Sequence, residues 1–164
     1  MSRRDPALPP TTGTDVRGPA RSPVSIVALV FGIVFLLVGI AGFVPGLLSP
    51  SDLKMAGTDS DALLLGLFQV SVLHNVVHLL FGVVGIAVSA RARASRTYLL
   101  AGGAIYLLLL VYGLVLGGHS GDVVPVNGAD NWLHAALGIV MLAAGWGLRT
   151  WTRGSDAELG TASR

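Results

Sequence analysis

Two short polar strings interrupt otherwise apolar stretches of this chain. They read His74-Asn75-Val76-Val77-His78 and, at an offset of 56 in the numbering (134 − 78), Asp130-Asn131-Trp132-Leu133-His134. Imidazole, amide and carboxyl groups can carry protons, ligate metals, or hydrogen-bond a ligand or a neighbouring helix. Each Asn precedes its His by three positions, about 60° around a helix and one turn along it. His74 and Asp130 precede the same histidines by four, on the same face. The spacing predicts two clusters, His74/Asn75/His78 and Asp130/Asn131/His134, facing the inside of a helical bundle at matching depth.

Three kinds of chemistry fit such a pair. The first is an interhelical hydrogen-bond clamp, since an Asn amide and an imidazole each donate and accept. Such bonds in membranes are worth ~0.6–2 kcal/mol, enough to set register without building the fold. In the second, His78 and His134 are the candidate ligands of a metal or of haem b in a redox protein, as paired imidazoles on facing helices. No cofactor is otherwise predicted. In the third, the Asp130/His cluster opens outward and handles a proton, cation or small polar ligand in a channel, transporter or sensor. Counting ~1.5 Å per residue from Arg91 and Arg149 puts His78 and His134 in the outer third of a bilayer, with Gln69, Ser71, Tyr106 and Tyr112 as candidate neighbours.

Other chemistries find little footing. The chain has no cysteine, which removes disulfides, thiolate metal sites and cysteine nucleophiles. His119, Ser120 and Asp122 fall in a Gly-rich loop with no nucleophile elbow. No phosphate loop, dinucleotide fingerprint or zinc-protease motif is present. Nothing in the sequence supports an enzyme.

The elements that must position these groups follow from composition. Apolar residues make up 52% and charged residues 12% of the chain, and the mean hydropathy is +0.71. Val24 to Val44 carries no charge, and Ala62 to Ala90 has only His74 and His78 as ionisable groups. Tyr98 to Gly118 is uncharged, and Trp132 to Leu148 contains only His134. Roughly 20 apolar residues cross a ~30 Å hydrocarbon core. Four transmembrane spans are therefore expected, at about 24–44, 70–90, 98–118 and 131–148. With four spans the arginines fall on one side: Arg3, Arg4, Arg17 and Arg21, then Arg91, Arg93 and Arg96, then Arg149, Arg153 and Arg164. The other side holds Lys54 with several aspartates. Positive-inside bias then makes both termini cytoplasmic. The arginines answer to topology and anionic lipid rather than nucleic acid. The bilayer is the expected partner, with a homo-oligomer or other membrane proteins left open. Residues 1–23 and 151–164 are expected to be disordered cytoplasmic tails.

The polar strings belong to a longer repeat. Asn75, Gly82 and Ser89 recur at sevens, as do Asn131, Gly138 and Gly145 at the same offset of 56. Gly39 and Gly113 match more weakly at an offset of 74, which leaves an excess of 18 to a longer first outer loop. Two spans per copy give like-oriented, parallel repeats. The expected fold is thus an all-α membrane protein, a four-transmembrane-helix bundle built from two parallel-repeated helical hairpins. Gly32, Gly39, Gly82, Gly138 and Gly145 are the candidate helix-packing positions, with the second and fourth spans meeting through their small-residue stripes. Residues 62–73 have no counterpart in the second half. They either extend the second span, kinked near Gly66, or lie at the outer interface.

The strings VSVLHNVVHLLFGVVGIAVSARAR, GGAIYLLLLVYGLV and PVNGADNWLHAALGIVMLAAG, within about residues 24–150, resemble a family of small four-span bacterial membrane proteins. The family is common in actinobacteria and is catalogued as domain of unknown function 4383. The resemblance implies a multi-pass protein of the bacterial plasma membrane. It carries over no activity.

Overall fold

The computed structural model describes residues 21–56, 60–116, 124 and 126–148. The loop with His119, Ser120 and Asp122 lies outside them, as do the tails apart from residues 21–23. Four helices carry the fold: α1 (Pro23–Ala41), α2 (Val72–Val88), α3 (Ala92–Leu116) and α4 (Gly128–Gly147). Their starts are written locally. Ser22 caps α1 by accepting from Ser25 N, with Pro23 in the first turn. Ser71 caps α2 through His74 N at 3.2 Å. Asn127 and Asp130 form a reciprocal capping box at α4. Helix α3 begins at Ala92, ahead of the span expected from 98. Arginine is a good helix former whose long side chain reaches water from a helix end, so the charges bound the apolar run but not the helix.

The chain is all-α in its long elements. Helices α1 and α3 are long and apolar enough to cross a membrane, α2 is apolar but shorter, and α4 carries Asp130 in its first turn. Helix α1 packs along α2, and α3 along α4, while α1 also meets α3. The expected seam between the second and fourth helices does not form. A Cβ on Gly82 would lie 2.6 Å from Leu36 N of α1, and one on Gly138 would lie 2.7 Å from the Leu107 side chain of α3. Gly32 and Gly39 face α2, and Gly145 faces Leu100 of α3. Each stripe therefore closes its own hairpin. The reason is steric: the backbones come closest where small residues oppose each other, as Gly32 opposes Gly82 and Gly85.

These contacts correspond pairwise. Gly32 lies against Gly82 O and Ile86 N, as Gly103 lies against Gly138 O and Leu142 N. Gly42 abuts the Asn75 side chain, as Gly113 abuts that of Asn131. The offsets are 71 for the first helices (103 − 32, 113 − 42) and 56 for the second (138 − 82). By contact, Gly113 thus matches Gly42 and not Gly39, and the two offsets differ by 15 (71 − 56) rather than 18.

Of residues 62–73 only Val72 and Leu73 belong to α2, and the rest do not extend it as helix. They form an antiparallel hairpin, β1 (Leu63–Leu64) and β2 (Phe68–Gln69), before α2 begins. Leu65 (φ 54°) and Gly66 (φ 70°) take the left-handed turn between the strands, which Leu67 N closes onto Leu64 O at 3.1 Å. The hairpin is held into a lid. Ser60 Oγ donates to Val70 O at 2.7 Å, and Val70 N donates to Ala62 O at 2.9 Å. Ala62, Leu64 and Val70 are buried under it against Val38 and Ala41 of α1. A second core, between the hairpins, centres on Phe35, Leu99, Tyr106 and Met141.

The polarity of the bundle is reversed relative to a water-soluble one. Leu37 and Leu80 are 60% exposed and Leu108 69%, whereas Asn75 is 1% and Asp130 2% exposed. Helix faces that pack against neighbours carry the polar groups, and the outward faces carry leucine, isoleucine and valine.

Candidate functional site

The site is organised around two aromatic rings between the hairpins. Phe35 of α1 stacks on Tyr106 of α3, with centroids 5.5 Å apart and planes 16° apart. His78 of α2 rests edge-on against Phe35 at 5.6 Å, and His134 of α4 is tilted against Tyr106 at 5.4 Å. Each imidazole thus lies on the aromatic ring of its own hairpin. The hairpins are then joined by a polar contact, Tyr106 Oη to His78 Nε2 at 3.5 Å. His78 Nδ1 lies 3.0 Å from His74 O, a carbonyl that can only accept. That assigns the proton to Nδ1 and leaves Nε2 to accept from the phenol. His74 stacks on His78, with centroids 4.4 Å apart and planes 11° apart.

His134 differs from His78 in one respect. Its Nδ1 is buried without a hydrogen-bond partner, and the residue is only 3% exposed. Two cavities flank the histidines. One of about 140 Å³, between α2 and α3, is lined by Ser71, His74, His78, Tyr106 and His134 among apolar side chains. The other, about 120 Å³, lies under the lid and is bounded by Val38, Leu64, Phe68, Asp130 and the same three histidines.

The six residues of the two polar strings do not act together. His74, His78 and His134 converge. Asn75 turns to its own hairpin, where Nδ2 donates to Gly42 O at 2.6 Å and takes up a carbonyl freed at the end of α1. Asn131 lies against Gly113 of α3, with its Oδ1 buried and unpartnered. Asp130 serves the backbone: its Oδ2 accepts from Asn127 N at 2.9 Å and from Gln69 N at 3.0 Å. It thereby caps α4 and pins the lid, helped by Asn127 Nδ2 donating to Leu67 O at 2.7 Å. A step of about 60° around a helix is enough to hand nearby polar residues to different neighbours.

Among the described residues, no group of three or more His, Cys, Asp or Glu side chains is arranged to hold a metal ion. The rings of His74 and His78 are stacked rather than aimed at one point. Sequence reasoning missed Phe35, Phe81 and Gly42. A phenylalanine within an apolar run carries no mark of its own. Only the offset of 71, which sets Phe35 opposite Tyr106 (106 − 35), would have singled it out.

No curated protein and no solved structure matches the chain. The family model described as domain of unknown function (DUF4383) matches residues 25–147, from the first turn of α1 to the last residue of α4, and the chain belongs to that family.

Proposed function

We propose that this chain is a multi-pass protein of the bacterial plasma membrane that binds a small ligand in its outer half. In this reading α1 to α4 are the four spans, both termini are cytoplasmic, and α1/α2 and α3/α4 are parallel copies of one hairpin. The reversed polarity of the bundle supports the membrane placement, because exposed leucines and valines on the helices suit lipid and not water. The paired offsets of 71 and 56 support the repeat. Asn75 acts as the clamp of the first hairpin through Gly42 O.

The binding role rests on His134. A buried ring nitrogen without a partner costs about 1–3 kcal/mol, and this one belongs to a residue bordering a cavity of about 140 Å³. That nitrogen is shut off from the cavity as the ring stands, so a ligand there supplies the missing partner by way of a turn of the imidazole. Native mass spectrometry of protein extracted in mild detergent tests the role. The expected result is a bound small molecule in the wild type that is lost in a folded His134→Ala variant. A ligand-free wild type, with His134→Ala lowering thermal stability alone, would reduce the cluster to a structural clamp.

Haem or a metal on His78 and His134 is the rival. It requires the Phe35–Tyr106 pair, on which both imidazoles rest, to move away. A stoichiometric Soret band or bound metal, lost on His78→Ala, would replace the present reading.

A further inference from the structure

The two seams between the hairpins are not equivalent. Where α1 and α4 approach, the cavity beside the histidines is roofed by Leu64, Phe68 and Val70 of the lid. Where α2 and α3 approach, the histidine cavity adjoins a groove of about 640 Å³ that opens on the outer surface of the bundle. The two share Phe81 and Ile105. Farther along, the groove is walled by Leu80, Val84, Val88 and Ala101, and it reaches Tyr98 near the start of α3. Its walls are almost wholly apolar, and its mouth lies on a face that would meet lipid. The insertion that lengthens the first connection therefore closes the α1/α4 seam, while the α2/α3 groove opens outward among the described residues.

We propose that the α2/α3 groove and the histidine cavity together bind a single-chain amphiphile with a carboxylic acid head, chain in the groove and head beside His134. The inference rests on the ligand-binding reading above and names the ligand class. Length and polarity argue for a chain, because the groove lies next to the cavity along the helices and its apolar walls offer a ligand almost nothing to hydrogen-bond. Size limits the head. A cavity of about 140 Å³ is close to one that admits a benzene-sized group, too small for a phosphodiester lipid headgroup. Charge limits it further. Among the described residues, no Lys or Arg lines the cavity to neutralise a fixed anion, and no carboxylate lines it to hold a cation. Asp130 bounds the other cavity and is committed to two backbone N–H groups. An acid that enters with its own proton brings no net charge. It offers one O–H to an imidazole acceptor and one carbonyl oxygen to a donor, the two capacities this lining has.

The test uses the full chain with ¹⁵N-labelled histidine in lipid nanodiscs, read by NMR, with oleic acid, oleyl alcohol and butyrate as probes. Oleic acid is expected to shift the His134 ring resonances saturably. Ala101→Trp, which fills the groove from an exposed position, should weaken that binding at least tenfold without lowering thermal stability in the absence of probe. Butyrate should bind at least tenfold more weakly than oleic acid. Shifts from oleyl alcohol but not oleic acid would overturn the acid head while keeping the site. Unweakened oleic acid binding in Ala101→Trp would overturn the groove. No shift with any of the three probes would overturn this proposal, and only a ligand-free wild type in native mass spectrometry would overturn the ligand-binding reading with it.

Discussion

At the scale of single residues, the two copies of the polar string differ more than their sequences suggest. Asn75 makes a 2.6 Å bond across its hairpin, whereas Asn131 Oδ1 is buried without one. Asn75→Ala should therefore lower thermal stability in detergent by about 0.6–2 kcal/mol, the value of an interhelical bond in a membrane. Asn131→Ala should cost less, and equal losses would mean that both amides are engaged. Asp130→Ala gives the sharper contrast. It removes the carboxylate oxygen that accepts from both Asn127 N and Gln69 N. A loss of about 1–3 kcal/mol is expected, with faster hydrogen exchange at Gln69. Exchange at Gln69 that stays at the wild-type rate would separate Asp130 from the lid.

At the scale of elements, the closeness of the hairpin helices decides what their glycines tolerate. A Cβ on Gly82 meets the backbone of Leu36 at 2.6 and 2.8 Å, so α1 and α2 must part to accept it. A Cβ on Gly138 meets chiefly the Leu107 side chain at 2.7 and 2.9 Å, which can turn aside. Gly82→Ala should then cost about 1–3 kcal/mol, the range for overpacking, and Gly138→Ala distinctly less. The reverse order, measured by thermal unfolding, would contradict the packing described. The lid depends on its turn. Gly66→Ala places a Cβ on left-handed backbone at φ 70°, at a cost of about 1–2 kcal/mol, and should speed exchange at Val70 N, which donates to Ala62 O.

At the scale of the whole molecule, the proposed orientation follows from where the basic residues lie. The chain has no cysteine, so single cysteines report topology directly. Ser51→Cys, in the exposed approach to the lid, should be labelled by an impermeant maleimide added outside cells. Arg91→Cys, in the exposed turn between α2 and α3, should be labelled only after the membrane is opened. The opposite pattern would invert the protein in the bilayer.

Much of the architecture was legible without coordinates, because the helices are lengths of apolar composition and their starts are local. Ser22, Ser71 and Asn127 each cap a helix by accepting from a backbone N–H three positions ahead. The residue types of the candidate site were legible too, since His, Asn and Asp stand out against an apolar background. Their partners were not. Which neighbour receives Asn75 and which receives His78 depends on a rotation of α2 by about 60°. That rotation is set by Gly32, Gly39 and Gly42, which lie in and just after α1, a separate helix of the sequence. The lid was hidden for a related reason. Leu63 to Leu73 reads by apolar content as an extension of the second span or a segment at the outer interface, but strand pairing with Gln69, the left-handed turn at Leu65 and Gly66, and the grip of Asp130 from a distant part of the chain bend Leu63 to Gln69 into a hairpin. Apolar composition determined the helices of this chain; only the long-range contacts made the hairpin between α1 and α2 and decided which helix faces meet.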